Sequence, residues 1–311
     1  MKIIFFGSDF FSLAALKACL ETSHEVILIV TTPAQKKGRG LTLSPSPVQE
    51  FAESRGLPFE APADLKDAAF FEKIKSLSPD AYVVSSYGKF IPGRYLDLPK
   101  VAALNVHPSL VPRYRGSGPI QWALLNGDKE TGVSIIEVAR KLDAGDIFCQ
   151  VRMPILDRED HPGLEKRLTD RSYEVLLDLL NTLPDKPLTR TVQEESQTVY
   201  ARKLTKQDGH LDWAEPAAIL DRKVRALKPW PGTYVTVAGA RLGILETTCL
   251  EEPDTPAPGT VIRIAEDQSL HVAAASGILA LHRVQPEGKR PMSGADFARG
   301  KRLAAGTLLN P

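Results

Sequence analysis

Three side chains in this chain are of the types that move a proton and hold developing negative charge: Asn105, His107 and Asp143. Asn105 and His107 stand two apart in Leu104-Asn105-Val106-His107-Pro108, so on a β-strand they point to the same face. Pro108 has no amide hydrogen to continue a ladder, which leaves His107 at the strand tip, where open α/β sheets place their ligand sites. An imidazole titrates near neutral pH and can give or take a proton. A carboxamide beside it is a neutral donor suited to an oxyanion. Asp143, in Leu142-Asp143-Ala144-Gly145-Asp146, offers a carboxylate that orients or charges the imidazole, or holds a water, and Asp146 competes for that role. A polar turn would account for Asp143 alone, and a satisfied core histidine for His107 alone. What favours chemistry is the pairing with Asn105 and the loop of Pro, Gly and Arg that follows, through Pro112, Arg113, Arg115 and Gly116.

Positioning such a trio takes a sheet, and the first half of the chain reads as one. Apolar runs at 2–6, 24–31, 81–85, 102–106 and 133–138 predict strands; helical spacing marks 10–20, 48–55, 65–77, 120–125 and 163–182. The alternation predicts a doubly wound sheet. The stretch 32–47 has little periodicity and reads as a long loop. After about residue 183 the character changes. Residues 181–195 are polar with two prolines, a helix is expected at 216–227, and short runs at 233–237, 241–250, 259–264, 270–274 and 279–284 suggest a small oligonucleotide-binding (OB)-like β-barrel.

The composition narrows the function. The formal net charge is +1, so any basic surface is local rather than global. Cys19, Cys149 and Cys249 are an odd number without a CxxC pair, which argues against a disulfide framework or a zinc site, and scattered histidines argue against other metals. Gly7-Ser8-Asp9 follows the first strand but completes neither a GxGxxG nor a P-loop pattern. The opening apolar run is too short for a signal peptide and no run is long enough to span a membrane, so a cytoplasmic location is expected. Lys36, Lys37 and Arg39 lie in a stretch with no acidic residue between Val26 and Gln49, and read as a basic finger against phosphates or as a solvated loop. Arg202, Lys203 and Lys206 form a second basic group. Arg222, Lys223, Arg225 and Lys228 recur at helical spacing and predict one basic face, and Lys289, Arg290, Arg299, Lys301 and Arg302 form a last group. Trp230, between Pro229 and Pro231, reads as a packing residue.

Taken together, Lys2 to Gly7, Ser44 to Val48, Ser86 to Pro92 and Asn105 to Gly116, then Tyr200 to Gly209, Trp213, Val224 to Gly232 and Met292 to Phe297, resemble the methionyl-tRNA formyltransferase family. The resemblance runs nearly end to end. It implies a Rossmann-like formyltransferase domain over 1–183, a linker over 184–204 and a tRNA-binding β-barrel domain over 205–311. It implies formyl transfer from 10-formyltetrahydrofolate to the amino group of methionine on initiator methionyl-tRNA, with Asn105, His107 and Asp143 catalytic. It further implies that Ser109, Leu110, Val111 and Pro112 contact the folate, and that Arg39, with Lys36 and Lys37, meets the acceptor stem. Arg202, Lys203 and Lys206 are expected at the tRNA as well, and the enzyme is expected to be a monomer. Three alternatives stay open: a sugar-nucleotide amine formyltransferase on the same N-terminal fold, a hydrolase releasing formate from the same folate, and a non-enzymatic RNA-binding protein.

Overall fold

The computed structural model describes residues 1–37, 42–183 and 185–309. Contacts divide the chain into two compact units: Met1–Pro119, Glu130–Pro154 and Glu165–Ala201 form one, and Ile120–Lys129, Ile155–Leu164 and Arg202–Pro311 the other.

In the first unit the strands are β1 (Lys2–Gly7), β2 (Glu25–Val30), β3 (Gln35–Lys37), β4 (Thr42–Ser44), β5 (Phe59–Glu60), β6 (Ala81–Ser85), β7 (Ala102–His107), β8 (Arg115–Gly116), β9 (Glu130–Glu137), β10 (Ile147–Pro154) and β11 (Tyr200–Ala201). Seven of them make one sheet in the order β10-β9-β7-β6-β1-β2-β5. Its core is parallel, and β9 and β10 add antiparallel strands at one edge. Ile3, Ile4, Phe5 and Phe6 are all fully buried, the pattern of a strand covered on both faces. The Phe6 ring meets Tyr82 edge to face with centroids 5.1 Å apart, which ties β1 to β6. The chain runs outward from β1 in both directions, so the strand order reverses between β1 and β6, and their C-terminal ends frame a crevice.

One expectation for this unit changes. The stretch 32–47, read as a loop, contains an antiparallel ribbon in which Gln35 faces Ser44 and Lys37 faces Thr42. Each strand of the ribbon is three residues long, too short for apolar periodicity to mark it. Arg39 lies outside the described residues, as do the side chains of Lys36 and Lys37.

The second unit holds β12 (Thr233–Val237), β13 (Ala240–Leu250), β14 (Val261–Ile264), β15 (Leu270–Ala273), β16 (Ile278–Pro286) and β17 (Met292–Ser293), all antiparallel, in the order β12-β13-β16-β15-β14 with β17 on β16. Ala238 and Gly239, at φ 49° and 75°, make the two-residue turn that suits a right-twisted hairpin between β12 and β13. The sheet packs Val235, Leu242, Ile244, Val272, Leu279 and Leu281 against Leu220 and Val224 of the helix Ala217–Ala226.

The basic face expected on that helix is not a free surface. Lys223 pairs with Glu215, Lys228 with Asp160, and Arg222 donates to the Leu125 carbonyl. Arg225 donates to Asp221, itself 3% exposed, and to the Glu159 carbonyl. Sequence spacing gives the face but not the partners that neutralise it. Trp230, read as packing, is 48% exposed.

Candidate active site

β7 places the first two members of the trio. Asn105 sits in register between Val84 of β6 and Ile136 of β9, and His107 lies opposite Ser134. His107 is 5% exposed. The third member arrives on the turn between β9 and β10. Asp143 there adopts a left-handed conformation, φ 48°, which Asp tolerates better than most residues.

These three side chains meet. Asn105 Nδ2 donates to Asp143 Oδ1 at 3.1 Å. His107 Nδ1 lies 3.8 Å from Asp143 Oδ2, beyond a hydrogen bond but close enough for strong attraction to an imidazolium. Asp146, the competing carboxylate, instead lies 3.9 Å from Arg190 Nη1.

The tripeptide Tyr114-Arg115-Gly116 holds both titratable members. His107 Nε2 is 2.9 Å from the Tyr114 carbonyl, an acceptor, so Nε2 carries a proton and Nδ1 faces the carboxylate. Gly116 N donates to Asp143 Oδ2 at 2.9 Å. Gly116 has φ 120°, and a Cβ added there would stand 2.4 Å from the Ala201 carbonyl oxygen, so only glycine fits. Each Asp143 oxygen thus accepts one hydrogen bond and keeps a lone pair for a proton.

Of the segment expected at the folate, Ser109 and Val111 are buried and Leu110 and Pro112 half-buried. Ser109 Oγ donates to the Arg113 carbonyl at 2.7 Å, and Ser134 Oγ donates to the Ser109 carbonyl at 2.6 Å. Gln150 Nε2 donates to the Val111 carbonyl at 3.0 Å. The polar groups of this turn therefore shape the backbone, and Leu110 and Pro112 supply the apolar surface.

A cavity of about 310 Å³ occupies the crevice at the ends of β1, β2 and β6, lined among others by Ser8, Thr32, Ser44, Ser46, Ser86 and Lys89. Its wall at Ser86 continues β6, the strand beside Asn105. Ser8 Oγ donates to the Tyr87 carbonyl, and Lys89 Nζ to the carbonyls of Pro62 and Ala63, so the wall is internally tied.

Of the second-half basic residues, Arg202 clamps Asp208 with both terminal nitrogens and lies 5.0 Å from the centre of the Trp122 ring. That guanidinium holds the Asp208 carboxyl well below the usual carboxylate range. Lys203 and Lys206 are exposed. Sequence reasoning missed the backbone contributions of Tyr114 and Gly116, and also Gln193, whose amide reaches the Asp143 turn. A glycine at the end of the Pro112–Gly116 loop was the one available signal; a glutamine in a polar stretch gave none.

Among the described residues no three His, Cys, Asp or Glu side chains converge as metal ligands, and no helix is long and apolar enough to cross a membrane.

Two family profiles match this chain: Formyl transferase over residues 1–180, and Formyl transferase, C-terminal domain, over 203–302. The chain is 44% identical over 309 residues to the methionyl-tRNA formyltransferase of Thermus thermophilus, covering 99% of each. Among solved structures it resembles WlaRD, a sugar 3N-formyl transferase, with a TM-score of 0.67 at 15% identity, over 93% of this chain and 99% of that one. It also resembles HypX from Aquifex aeolicus, solved with tetrahydrofolic acid, with a TM-score of 0.63 at 17% identity; 96% of this chain aligns and spans 47% of that longer one. At these identities the two structures speak to the fold alone.

Proposed function

The chain belongs to the methionyl-tRNA formyltransferase family, and from that premise we propose that Asn105, His107 and Asp143 carry out its reaction. The enzyme transfers a formyl group from a folate-type donor to the amino group of methionine on initiator methionyl-tRNA. The donor is 10-formyltetrahydrofolate, whose nitrogen-bound formyl group supplies the electrophilic carbon. The observation that carries the assignment is the convergence of an amide, an imidazole nitrogen and a carboxylate within 3.8 Å at one strand end.

The residues divide the work. The second Asn105 Nδ2 hydrogen and a protonated His107 Nδ1 donate to the oxygen that becomes negative as the amine adds. Asp143 takes the proton the amine must lose, directly or through water, and favours the imidazolium that returns one to the leaving nitrogen. Leu110 and Pro112 offer the folate a flat apolar seat beside this trio, consistent with a heteroaromatic ring. The crevice cavity takes the terminal part of the aminoacylated acceptor, and much of the rate comes from aligning two large substrates.

Residues 1–183 bind the donor and perform the chemistry, 184–204 connect, and 205–311 bind tRNA. Lys36, Lys37, Arg39, Arg202, Lys203 and Lys206 contribute phosphate contacts, Arg202 through whichever face its pairing with Asp208 leaves open. The enzyme works as a cytoplasmic monomer. Single-turnover assays comparing charged initiator tRNA with an amino-sugar nucleotide test the reading. The tRNA is expected to be formylated at least about 10,000-fold faster, on the order of the discrimination a site built for polar contacts makes against an acceptor that lacks them. Equal rates on the two acceptors would sink it.

A further inference from the structure

The Asp143 side chain is fixed by Asn105 and Gly116, but its left-handed main chain needs support of its own, and that support comes from far along the sequence. Gln193 Nε2 donates to the Asp143 carbonyl at 2.9 Å and to the Gly145 carbonyl at 2.6 Å. Gln193 Oε1 accepts from Arg115 Nε at 3.0 Å. One carboxamide therefore bridges the turn carrying the carboxylate and the tripeptide that holds both His107 and Asp143. Gln193 is 7% exposed and Arg115 1%. A buried guanidinium needs a counter-charge, and Arg115 Nη1 finds it in Glu195 at 2.9 Å; Glu195 also pairs with Lys141, two residues before Asp143.

The segment that brings Gln193 here is anchored by an isolated antiparallel bridge. Thr191 and Ile147 exchange both backbone hydrogen bonds, at 2.8 and 2.9 Å. Beyond Gln193, β11 pairs with β8, placing Tyr200 beside Arg115. A Cβ on Gly145 would fall 1.9 Å from the Glu137 carbonyl oxygen, so the turn cannot relax toward a bulkier residue there.

We infer that Gln193 is a positioning residue for catalysis: it sets the height and tilt of the Asp143 carboxylate beneath His107 by bridging the 143–145 carbonyls to Arg115. This rests on Asp143 being the working carboxylate, as proposed above. Displacing a catalytic group by about 1 Å costs on the order of 100-fold in rate. Gln193→Ala is therefore expected to lower the single-turnover rate by about 100-fold, with KM for donor and tRNA within about twofold of wild type.

Gln193→Glu guards against a folding artefact. It keeps the acceptor for Arg115 and the side chain's size but turns a carboxylate oxygen that cannot donate toward two carbonyls, so it should lose rate at least as severely, with thermal midpoints of both variants reporting whether they are folded. The decisive measurement is a cycle with Asp143→Asn. If Gln193 acts through Asp143, adding Gln193→Ala to Asp143→Asn costs less than about threefold more. A merely structural glutamine would give additive losses and a raised KM. Additive losses, or single variants within about threefold of wild type while Asp143→Asn is crippled, overturn the inference and leave the site assignment standing. An Asp143→Asn enzyme at wild-type rate removes that assignment, and the inference with it.

Discussion

Replacing Asp143 by Asn keeps the side chain's size and removes its charge. In the structure the carboxylate accepts from Asn105 Nδ2 at 3.1 Å and from Gly116 N at 2.9 Å, and lies 3.8 Å from His107 Nδ1. A carboxamide keeps one of the two hydrogen bonds, because only one of its end atoms accepts. The larger loss is Coulombic. Opposite unit charges 3.8 Å apart attract by about 4 kcal/mol at an effective dielectric of about 20. Without the carboxylate the imidazolium that donates to the developing oxyanion is disfavoured by about this much, and the loss appears in the rate. Four kcal/mol corresponds to about 1,000-fold in rate. The Asp143 side chain is 11% exposed, so solvent screens part of that, and the expected fall is between about 100- and 1,000-fold. Rapid-quench single turnover at saturating donor and charged initiator tRNA reads the step directly, with thermal midpoints confirming a folded enzyme. A variant within about tenfold of the wild-type rate would refute the electrostatic role assigned to this carboxylate.

His107→Ala is expected to lower turnover by at least about 100-fold while tRNA affinity, measured by filter binding, stays within about twofold; wild-type turnover would end the proton-transfer role. Gly116→Ala forces a Cβ to 2.4 Å from the Ala201 carbonyl at φ 120°, and should cost about 3 kcal/mol or more in urea unfolding as well as activity; an unchanged urea midpoint would show that the backbone can shift aside. Burial pushes the His161 imidazole down to about 4, against the pull of Asp160, while the unfolded ring titrates near 6.5. The unfolded chain then binds the extra proton, so this group's stabilisation is complete above about pH 6.5 and is lost as pH falls toward 4, by on the order of 3 kcal/mol. His161→Gln should flatten that acid limb of the stability profile, and an unaltered slope would remove His161 as its cause. Arg39→Ala should lower kcat/KM for tRNA by about tenfold or more and leave the donor KM alone; an unchanged tRNA constant would end the basic-finger proposal.

What the sequence makes legible follows from where the physics is local. β1, β6 and β7 announce themselves because a strand buried on both faces must be apolar throughout, as Ile3–Phe6 and Ala81–Val84 are. Asn105 and His107 were legible as a pair because β-strand geometry puts alternate residues on one face. Their meeting with Asp143 was not, since 38 residues separate it from Asn105 and only the β9–β10 turn closes that gap. Whether Asp143 or Asp146 serves was equally closed to inspection, because the two differ in partners rather than in type. The β3–β4 ribbon and the short β11 escaped because strands of two or three residues are too short to show a period. Gln193 escaped because nothing distinguishes an amide that bridges two carbonyls from one that faces solvent until the fold delivers it. The helical basic face was legible as spacing and misread as surface, since Glu215, Asp221 and Asp160 come from elsewhere in the chain.

The hydrogen bond from His107 to the Tyr114 carbonyl pins the ring by its back nitrogen and leaves one working nitrogen at the front. A ring so held cannot pass a proton in at one edge and out at the other, as a relay would. It is a store with a single door and room for one. The proton it gives the departing nitrogen leaves by that door, and the one that recharges it, taken up by Asp143 from the incoming amine, must return the same way, so the ring is reset only after the departing nitrogen has been served.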